Sequence, residues 1–491
     1  MDKRSVGRVT AAVRRLASDA GGVVAIWMAL MITALAGIAA LGVDVGYAYL
    51  MRARLANALD AAGLAMGAAP MNTPTATLQQ IGETYLDVNF RQPAGLPATL
   101  VATYNADLST IDLRAATTVP TTLARTVGTN AFEIVVTSQV KRQTKGLELS
   151  LVLDNTGSMW SNSNIAAVRD SARILTEILF GASAQHPYLK IGLVPYSVAV
   201  NVAPIAAQVV PAQTHPLDTA NANTANWKGC VIERQPPHDT DDTTTAVGGS
   251  WRQYWWPPAV DNNWSPAEYD RRGRLTQAAI IDTDTARLGN GVHSPNIGCP
   301  TPILPLTNDR QTVLNAIAGM TAWNRGGTIS SAGMAWGLRM LSPEPPLSEG
   351  VAWSDPDWKK AVILMTDGDN LLYNLTGTDG RNSPDSSTGS DWSAYERVNS
   401  SFAQSVFGTT NLNTVKTRLN GKLTSVCNAM KAKGILVYTI VFTSGISEDT
   451  KNIYRSCASQ PAKYFYAPSQ QDLRTSFTVI ANELSNLRIS R

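Results

Sequence analysis

Charged residues are scarce in this chain of 491 residues. Asp, Glu, Lys and Arg together make up 16% of it, whereas 44% of the residues are hydrophobic. This composition argues against general disorder, which goes with low hydrophobicity and high net charge. A formal net charge of +3 also argues against a basic nucleic-acid-binding protein. At roughly 100 to 200 residues per domain, the length predicts two or three domains.

The small positive charge is concentrated at the N-terminus. Residues 1–19 hold five basic and two acidic side chains, so the rest of the chain is neutral overall. Residues 20–43 carry no charge, and a helix of that length would be about 36 Å long, enough to cross a hydrocarbon core of about 30 Å. We therefore predict a cytoplasmic tail (1–19) and a transmembrane helix (20–43), with everything after Asp44 outside the cytoplasm. The alternative is a cleaved signal peptide, for which Ala34-Leu35-Ala36 offers a site of small residues.

Cysteine is rare as well, and its positions fit this topology. All four cysteines lie after the predicted span, and an even count in an exported protein favours two disulfides. No two of them have short metal-ligand spacing, and the four histidines show no H-E-x-x-H pattern, so no zinc site is predicted. Of the three possible pairings we favour Cys230–Cys299, which would close a long insertion, and Cys427–Cys457, which would join the segments on either side of one predicted strand.

The segment directly after the span is predicted to be an amphipathic helix, residues 44–70. Its apolar residues recur at steps of three and four, and such a stripe packs either against a partner helix or against the chain's own domain. Residues 71–146 then combine one helical stretch with segments of period-two alternation, which predicts a small strand-rich module. The stripe consists of Val45, Ala48, Leu55, Leu59, Ala62 and Met66.

Short apolar strands alternate with helices over residues 147–488. This pattern predicts a doubly wound α/β domain with a mostly parallel sheet that helices cover on both faces. Two long insertions, at about 206–305 and 370–410, interrupt it. Loops of this size are usually functional or disordered. Because the first insertion holds tryptophans at 227, 251, 255, 256 and 264, we expect it to form an ordered, disulfide-closed surface.

Oxygen-bearing side chains are predicted to meet at the carboxyl ends of the strands, where ligands bind in open α/β sheets. Asp154, Thr156 and Ser158 follow the first strand, Asp367 follows a later strand, and Thr328 follows a Gly-Gly pair before a helix. Hard divalent cations prefer oxygen ligands of this kind. Two carboxylates would leave the ion electrophilic enough to accept one more oxygen from a partner. The sequence therefore predicts a Mg²⁺ site, with Mn²⁺ or Ca²⁺ as alternatives.

These residues resemble the metal-ion-dependent adhesion site of von Willebrand factor type A domains, which is D-x-S-x-S followed by a distant Thr and a distant Asp. Asp154, Ser158, Thr328 and Asp367 match those positions, and Thr156 stands where Ser is usual. The resemblance implies a Rossmann-like fold over roughly 147–488 and capture of a protein partner through a carboxylate on the metal.

The N-terminal region resembles a second family. A basic tail, an apolar span with GGVVAIWMALM and the following GVDVGYAYLMRARLANALDAAGLA are similar to the start of TadE/TadG-like proteins of the tight-adherence, or Flp-type, pilus apparatus. In TadG-like chains a type A domain follows such an anchor. The resemblance implies a single-pass protein of the bacterial cytoplasmic membrane, with a periplasmic or extracellular C-terminal domain, that acts in pilus assembly or adhesion without catalysis.

Three alternatives remain open from the sequence. A surface adhesin with no tie to a pilus could contact its ligand through the tryptophan-rich insertion. A type A domain could have lost its metal and serve as a scaffold. Asp154-Asn155-Thr156-Gly157 is also similar to the nucleophile loop of haloacid-dehalogenase phosphohydrolases, although Thr156 replaces their usual second Asp.

Overall fold

The computed structural model describes residues 20–69, 73–105, 110–141, 146–210, 227–257, 264, 268–278, 294–323, 325–374 and 389–487. The chain forms two compact units that divide between Gln143 and Thr144. The predicted basic tail (1–19) and residues 375–388 of the second insertion lie outside the described residues.

The first unit contains one long helix, α1 (Ala20–Ala68). The predicted transmembrane and amphipathic helices are thus a single continuous helix, because no glycine pair or proline interrupts the residues around Asp44. The part from Ile26 onward is apolar and long enough to cross a membrane, with a mean hydropathy of 2.2 in its most apolar window, as a membrane anchor or a signal sequence would be. Apolar side chains there are open to the surroundings, with Leu35 64% and Ile38 68% exposed, which suits contact with lipid.

The C-terminal half of α1 packs on a small module of its own unit. Helix α2 (Thr75–Leu86) continues through a π-helical turn (Asp87–Arg91) and the short segment Gln92–Ala94. An antiparallel sheet follows, in the order β1-β2-β3. Its strands are β1 (Ala98–Tyr104), β2 (Thr110–Pro120) and β3 (Ala131–Lys141), and a 3₁₀ turn (Ala124–Val127) lies between β2 and β3.

The apolar stripe of α1 therefore docks on its own domain. Leu55, Leu59 and Met66 are fully buried in the core of this unit. Val45 was expected in the stripe but is 54% exposed, and Met51 is buried instead. The buried face of α1 therefore continues from Leu55 through Met51 to Asp44, which is 4% exposed, and not to Val45.

The second unit is built on the predicted doubly wound sheet. Its described strands run in the order β6-β5-β4-β7-β8-β9, and every neighbouring pair is parallel except β6 with β5. From β4, the first strand of this sheet in the chain, β5 and β6 are added on one side and β7, β8 and β9 on the other. The strand order therefore reverses between β4 and β7, where such folds place ligands. The strands are β4 (Gly146–Asp154), β5 (Leu189–Tyr196), β6 (Leu304–Thr307), β7 (Trp358–Thr366), β8 (Leu436–Val441) and β9 (Tyr464–Tyr466).

Helices cover both faces of the sheet and form separate apolar cores with it. The central strand β4 is buried over its whole length, which explains its largely apolar sequence. The helices are α3 (Asn164–Phe180), α4 (Arg310–Ala318), α5 (Ser330–Leu341), α6 (Ser401–Phe407), α7 (Leu412–Ala432), α8 (Glu448–Cys457) and α9 (Gln470–Leu487).

The two insertions share one further apolar core. Tyr254 from the first insertion and Tyr395 from the second are buried in it beside Ile329 at the start of α5. Short strands add to the insertions and to the loop before α5. They are Val231–Ile232 paired with Arg252–Gln253, Glu268–Tyr269 with Leu275–Gln277, and Gly327–Thr328 with Leu371–Leu372; the short helices are Ala203–Ile205, Ala206–Val209, Thr245–Gly248 and Pro461–Lys463.

Both favoured disulfides are present, Cys230–Cys299 and Cys427–Cys457. The first closes the first insertion, and the second joins α7 to α8 on either side of β8. The tryptophans of the first insertion are ordered but do not form a surface: Trp251 and Trp256 are fully buried, and Trp255 and Trp264 are each 3% exposed. The expected disulfide closure of this insertion is confirmed, and Trp251 and Trp256 lie in apolar cores of the second unit instead of on its surface.

Candidate functional site

The candidate site lies where β4 and β7 end side by side. These strands are parallel neighbours, and Leu153 is paired with Met365, so Asp154 and Thr366 finish their strands at the same edge of the sheet. A tight 3₁₀ turn, Gly157–Ser163, follows β4 and carries Ser158 back toward the end of β7. The polar residues of the motif therefore lie at the edge of the sheet where the strand order reverses, which is where such folds bind ligands.

Asp154 is fully buried, and hydroxyl and amide groups bind both of its oxygens. The Thr156 backbone N–H and its hydroxyl donate to Oδ1 at 2.8 and 2.6 Å. The Thr366 hydroxyl donates to Oδ2 at 2.8 Å. Within the described part of the chain, no Lys or Arg forms an ion pair with this carboxylate.

Two hydroxyls connect Asp154 to the second carboxylate. The Thr156 and Ser158 hydroxyl oxygens lie 3.0 Å apart, and the Ser158 hydroxyl donates to Asp367 Oδ1 at 2.7 Å. Four of the five predicted metal ligands are thus joined in one hydrogen-bonded cluster. Ser158 is exposed and Asp367 is partly exposed, so the cluster opens to solvent on their side.

Both carboxylates are held in surroundings that disfavour their charge. Burial and, to a smaller extent, the charge of the nearby Asp154 carboxylate together raise the pKa of Asp367 to about 8. Burial also raises the pKa of Asp154, although its hydrogen bonds from Thr156 and Thr366 act in the opposite direction. Two acids of this kind without a cation are costly to ionise. A divalent cation between them would remove that cost.

The fifth predicted ligand, Thr328, lies on the segment beside this cluster. Thr156 forms a parallel bridge with Trp323, and Thr328 pairs with Leu371, four residues after Asp367. Among the described residues no hydrogen bond joins the Thr328 hydroxyl to the other four ligands. The structure therefore brings Asp154, Thr156, Ser158 and Asp367 together and places Thr328 on an adjacent short strand.

The glycines before Thr328 are required by this geometry. Gly326 and Gly327 have φ values of 87° and 116°, which favour glycine. A Cβ on Gly327 would also lie 2.1 Å from the Leu371 carbonyl oxygen. The two glycines thus allow the backbone before Thr328 to lie directly against the backbone of Leu371, and this contact sets the position of Thr328.

Asp391 is a positioning residue that sequence reasoning missed. It comes from the second insertion and is buried together with Arg325. Its carboxylate accepts from Arg325 Nη2 at 2.8 Å and from the N–H of Gly326, two residues before Thr328, at 3.0 Å. No local pattern signals this contact, because the partners are far apart in the chain and an Asp in a polar insertion looks solvated.

Two exposed aromatic residues on the rim were also missed. Trp160 lies in the turn that carries Ser158 and is 51% exposed. Tyr373 is 42% exposed, its backbone N–H donates to the Gly326 carbonyl at 3.1 Å, and burial and the charge of Asp367 raise its pKa.

The donor set fits a hard divalent cation. Carboxylate and hydroxyl oxygens are the ligands that Mg²⁺ and similar ions prefer. Among the described residues, no group of three or more His, Cys, Asp or Glu side chains is arranged to hold a metal ion, so hydroxyl oxygens are needed beside the two carboxylates.

Solved structures similar to this chain include pilus and adhesive proteins at low identity. The pilus adhesin SpaC from Lactobacillus rhamnosus GG is 14% identical, with a TM-score of 0.35, over 80% of this chain and 34% of its own. The vWF domain of the type V pili tip protein Mfa5 from Porphyromonas gingivalis is 11% identical, with a TM-score of 0.36, over 71% of this chain and 97% of that domain.

A third similar structure is proximal thread matrix protein 1 from the mussel byssus, solved with a zinc-occupied MIDAS motif. It is 11% identical, with a TM-score of 0.31, over 70% of this chain and 46% of its own. The chain spans about a third of the length of the SpaC chains it matches. At these scores the fold assignment rests on the strand order described above.

No curated protein sequence matches the chain. One family model does, and the match covers α1 from its second residue to one residue past its end, including the uncharged stretch, Asp44 and the alanine-rich continuation. Residues 21–69 are similar to the family described as putative Flp pilus-assembly TadE/G-like.

Proposed function

We propose that the second unit is a metal-dependent adhesion module and that the chain acts as a membrane-anchored component of Flp-type pilus assembly or attachment. One observation carries this proposal: two carboxylates in surroundings that disfavour their charge, Asp154 and Asp367, are linked through two hydroxyls with no cation paired to Asp154 or Asp367 among the described residues. The similarity of residues 21–69 to TadE/G-like sequences supports the pilus context.

In this proposal Asp154, Ser158 and Asp367 hold the ion, and Thr156 and Thr328 complete the set. The bound Mg²⁺, Mn²⁺ or Ca²⁺ supplies positive charge that attracts a carboxylate of a protein partner. Two carboxylates in the set leave the ion electrophilic. Trp160 and Tyr373 at the rim give the partner apolar contact area around that carboxylate, since exposed aromatic residues contribute strongly to protein interfaces.

The chain's own residues prepare the site for this role. Asp154 is fixed by Thr156 and Thr366, and the loop of Thr328 is fixed by Asp391 through Arg325. Ser158 and Asp367 lie on the open side, where a partner can approach. No catalytic step is included in the proposal.

The adhesion role is tested in cells that make the pilus, with chains that carry Asp154→Ala or Thr328→Ala. Asp357→Ala is the matched control, because it removes an exposed carboxylate just before β7, at the opposite end of that strand. We expect both site variants to abolish pilus display and attachment and the control to retain them. Display that persists in both variants and under chelation would overturn the proposal.

The phosphohydrolase alternative is tested separately. Full chain in detergent with Mg²⁺ is assayed against a panel of small phosphate esters, with Asp154→Asn as the control. We expect no turnover that depends on Asp154. Turnover that the variant abolishes would replace the adhesion role by catalysis at the same site.

A further inference from the structure

Asp44 makes an unusual contact at the end of the uncharged stretch of α1. Its side chain is 4% exposed although it is the first charged residue after residue 19. Its carboxylate accepts three backbone N–H groups, from Thr122 at 3.1 Å, Leu123 at 2.8 Å and Ala124 at 2.6 Å. These amides begin the 3₁₀ turn between β2 and β3, so the carboxylate fixes that turn to the helix.

This contact sets the height of the turn relative to a membrane. The uncharged residues 20–43 form about 36 Å of helix, slightly more than a hydrocarbon core of about 30 Å, so Asp44 lies at the boundary with the headgroups. Residues 121–130, here the boundary loop, must then lie at the same level. Three N–H groups compensate a carboxylate where water is scarce, whereas a solvated carboxylate needs no such partners.

The residues around this contact have the chemistry of a membrane interface. Leu123 is 44% exposed and Arg125 is exposed on the boundary loop. On α1, within about two turns of Asp44, Tyr47 is 43% and Tyr49 is 73% exposed. Tyrosine is enriched at headgroup level, and arginine reaches lipid phosphates while its stem stays in apolar surroundings.

We propose that the boundary loop is a lipid-contact surface that docks on the phospholipid headgroup layer of the bilayer crossed by α1. Leu123 inserts at the acyl boundary, Arg125 binds phosphate, and Asp44 is the positioning residue that holds the loop there. The helix and the loop then contact the membrane at two places, which restricts how far the first unit can tilt. This inference rests on α1 being a membrane anchor in the proposed function.

The test uses the full chain in vesicles of phosphatidylcholine and phosphatidylglycerol that contain lipids brominated near the headgroup. All four native cysteines are in disulfides, so a single introduced cysteine takes a fluorescent label. Labels are placed at Leu123→Cys in the loop, Leu35→Cys in the anchor and Val101→Cys on β1. Val101 is the control because it is 54% exposed but pairs with Arg114, six residues before the end of β2.

We expect the label at position 123 to be quenched severalfold more than the label at position 101. Quenching at 35 but not at 123 would overturn the lipid-contact surface, whereas no quenching at 35 would instead refute the anchor. Adding Asp44→Ala should lower the quenching at 123 toward the level at 101 and leave that at 35 unchanged. Unchanged quenching at 123 would refute the positioning role of Asp44.

Discussion

The two ends of strand β4 carry fully buried carboxylates in opposite surroundings. Glu148, near the start of β4, is bound by Lys190 at 3.1 Å, by Lys360 at 2.5 Å and by a backbone amide. Asp154, at its end, has only hydroxyl and amide partners and a second acid nearby. The charge of Glu148 is compensated within the fold, whereas that of Asp154 is not, and in the proposed function a cation from solution compensates it.

The largest expected effect is at the Glu148 end. Glu148→Ala leaves Lys360 buried without its carboxylate, and breaking a buried pair in this way costs about 3–5 kcal/mol. We expect this loss in the free energy of unfolding, measured by denaturant titration of the full chain in detergent, with and without Mg²⁺ alike. A loss below about 1 kcal/mol would show that the two lysines do not stabilise the buried Glu148 carboxylate, and the difference between the two ends of β4 would then not lie in their cations.

Substitution at the Asp154 end should have the opposite effect on the free energy of unfolding. Asp154→Asn removes a poorly compensated charge, so we expect the metal-free protein to keep or gain stability. Mg²⁺ at about a hundred times its Kd should stabilise the unsubstituted chain by about 2.7 kcal/mol and this variant not at all. Thermal unfolding with and without Mg²⁺ measures both, and Asp357→Ala should respond like the unsubstituted chain. If Mg²⁺ stabilised all three chains equally, Asp154 would not take part in binding the ion, and the proposed difference between the two ends of β4 would be refuted.

The pH dependence of the chelator-treated protein sharpens the comparison further. Because the folded state raises the pKa of Asp367 to about 8, the folded state binds a proton that the unfolded state releases from pH 4 upward. The contribution of this group is therefore fully present in acid and is lost as the pH rises toward 8. Asp367→Asn should flatten that part of the stability curve. An unchanged curve in the variant would contradict the assigned environment.

The smallest effect is expected at Thr156. Thr156→Ser keeps the hydroxyl that connects the two carboxylates and should change the Mn²⁺ affinity by less than about tenfold. Thr156→Val keeps the shape but removes the hydroxyl, and one lost polar contact of this kind costs about 1–3 kcal/mol. Calorimetric titration of both variants measures the difference. Equal affinities would mean that the hydroxyl is not part of the metal site.

Much of the fold was readable from the sequence because its causes are local. Continuous apolar strands between helices predicted the doubly wound sheet, and the motif after β4 predicted the cluster of Asp154 with Ser158. The positions of the insertions and strands favoured the disulfide pairing that is present, among three possible pairings. The sequence did not predict that α1 is continuous or that its apolar stripe packs on the chain's own domain. A periodic pattern of apolar residues shows which face of a helix is buried but not which element covers it.

The rest of the site depends on contacts between distant segments. Asp391 reaches Arg325 across the second insertion, and no spacing signals such a pair. Tryptophan content indicated that the first insertion is ordered but could not show that Trp251 and Trp256 face inward. The exposed aromatic residue, Trp160, stands beside the metal motif instead, where its exposure depends on the 3₁₀ turn.

The central claim is that the end of β4 binds one divalent cation between Asp154 and Asp367. Mn²⁺ titration of the purified full chain, followed by electron paramagnetic resonance of the free ion, measures this directly. We predict one saturable site per chain that Asp154→Ala and Asp367→Ala each abolish and Asp357→Ala retains. Absence of saturable binding, or binding that survives both site substitutions, would contradict it.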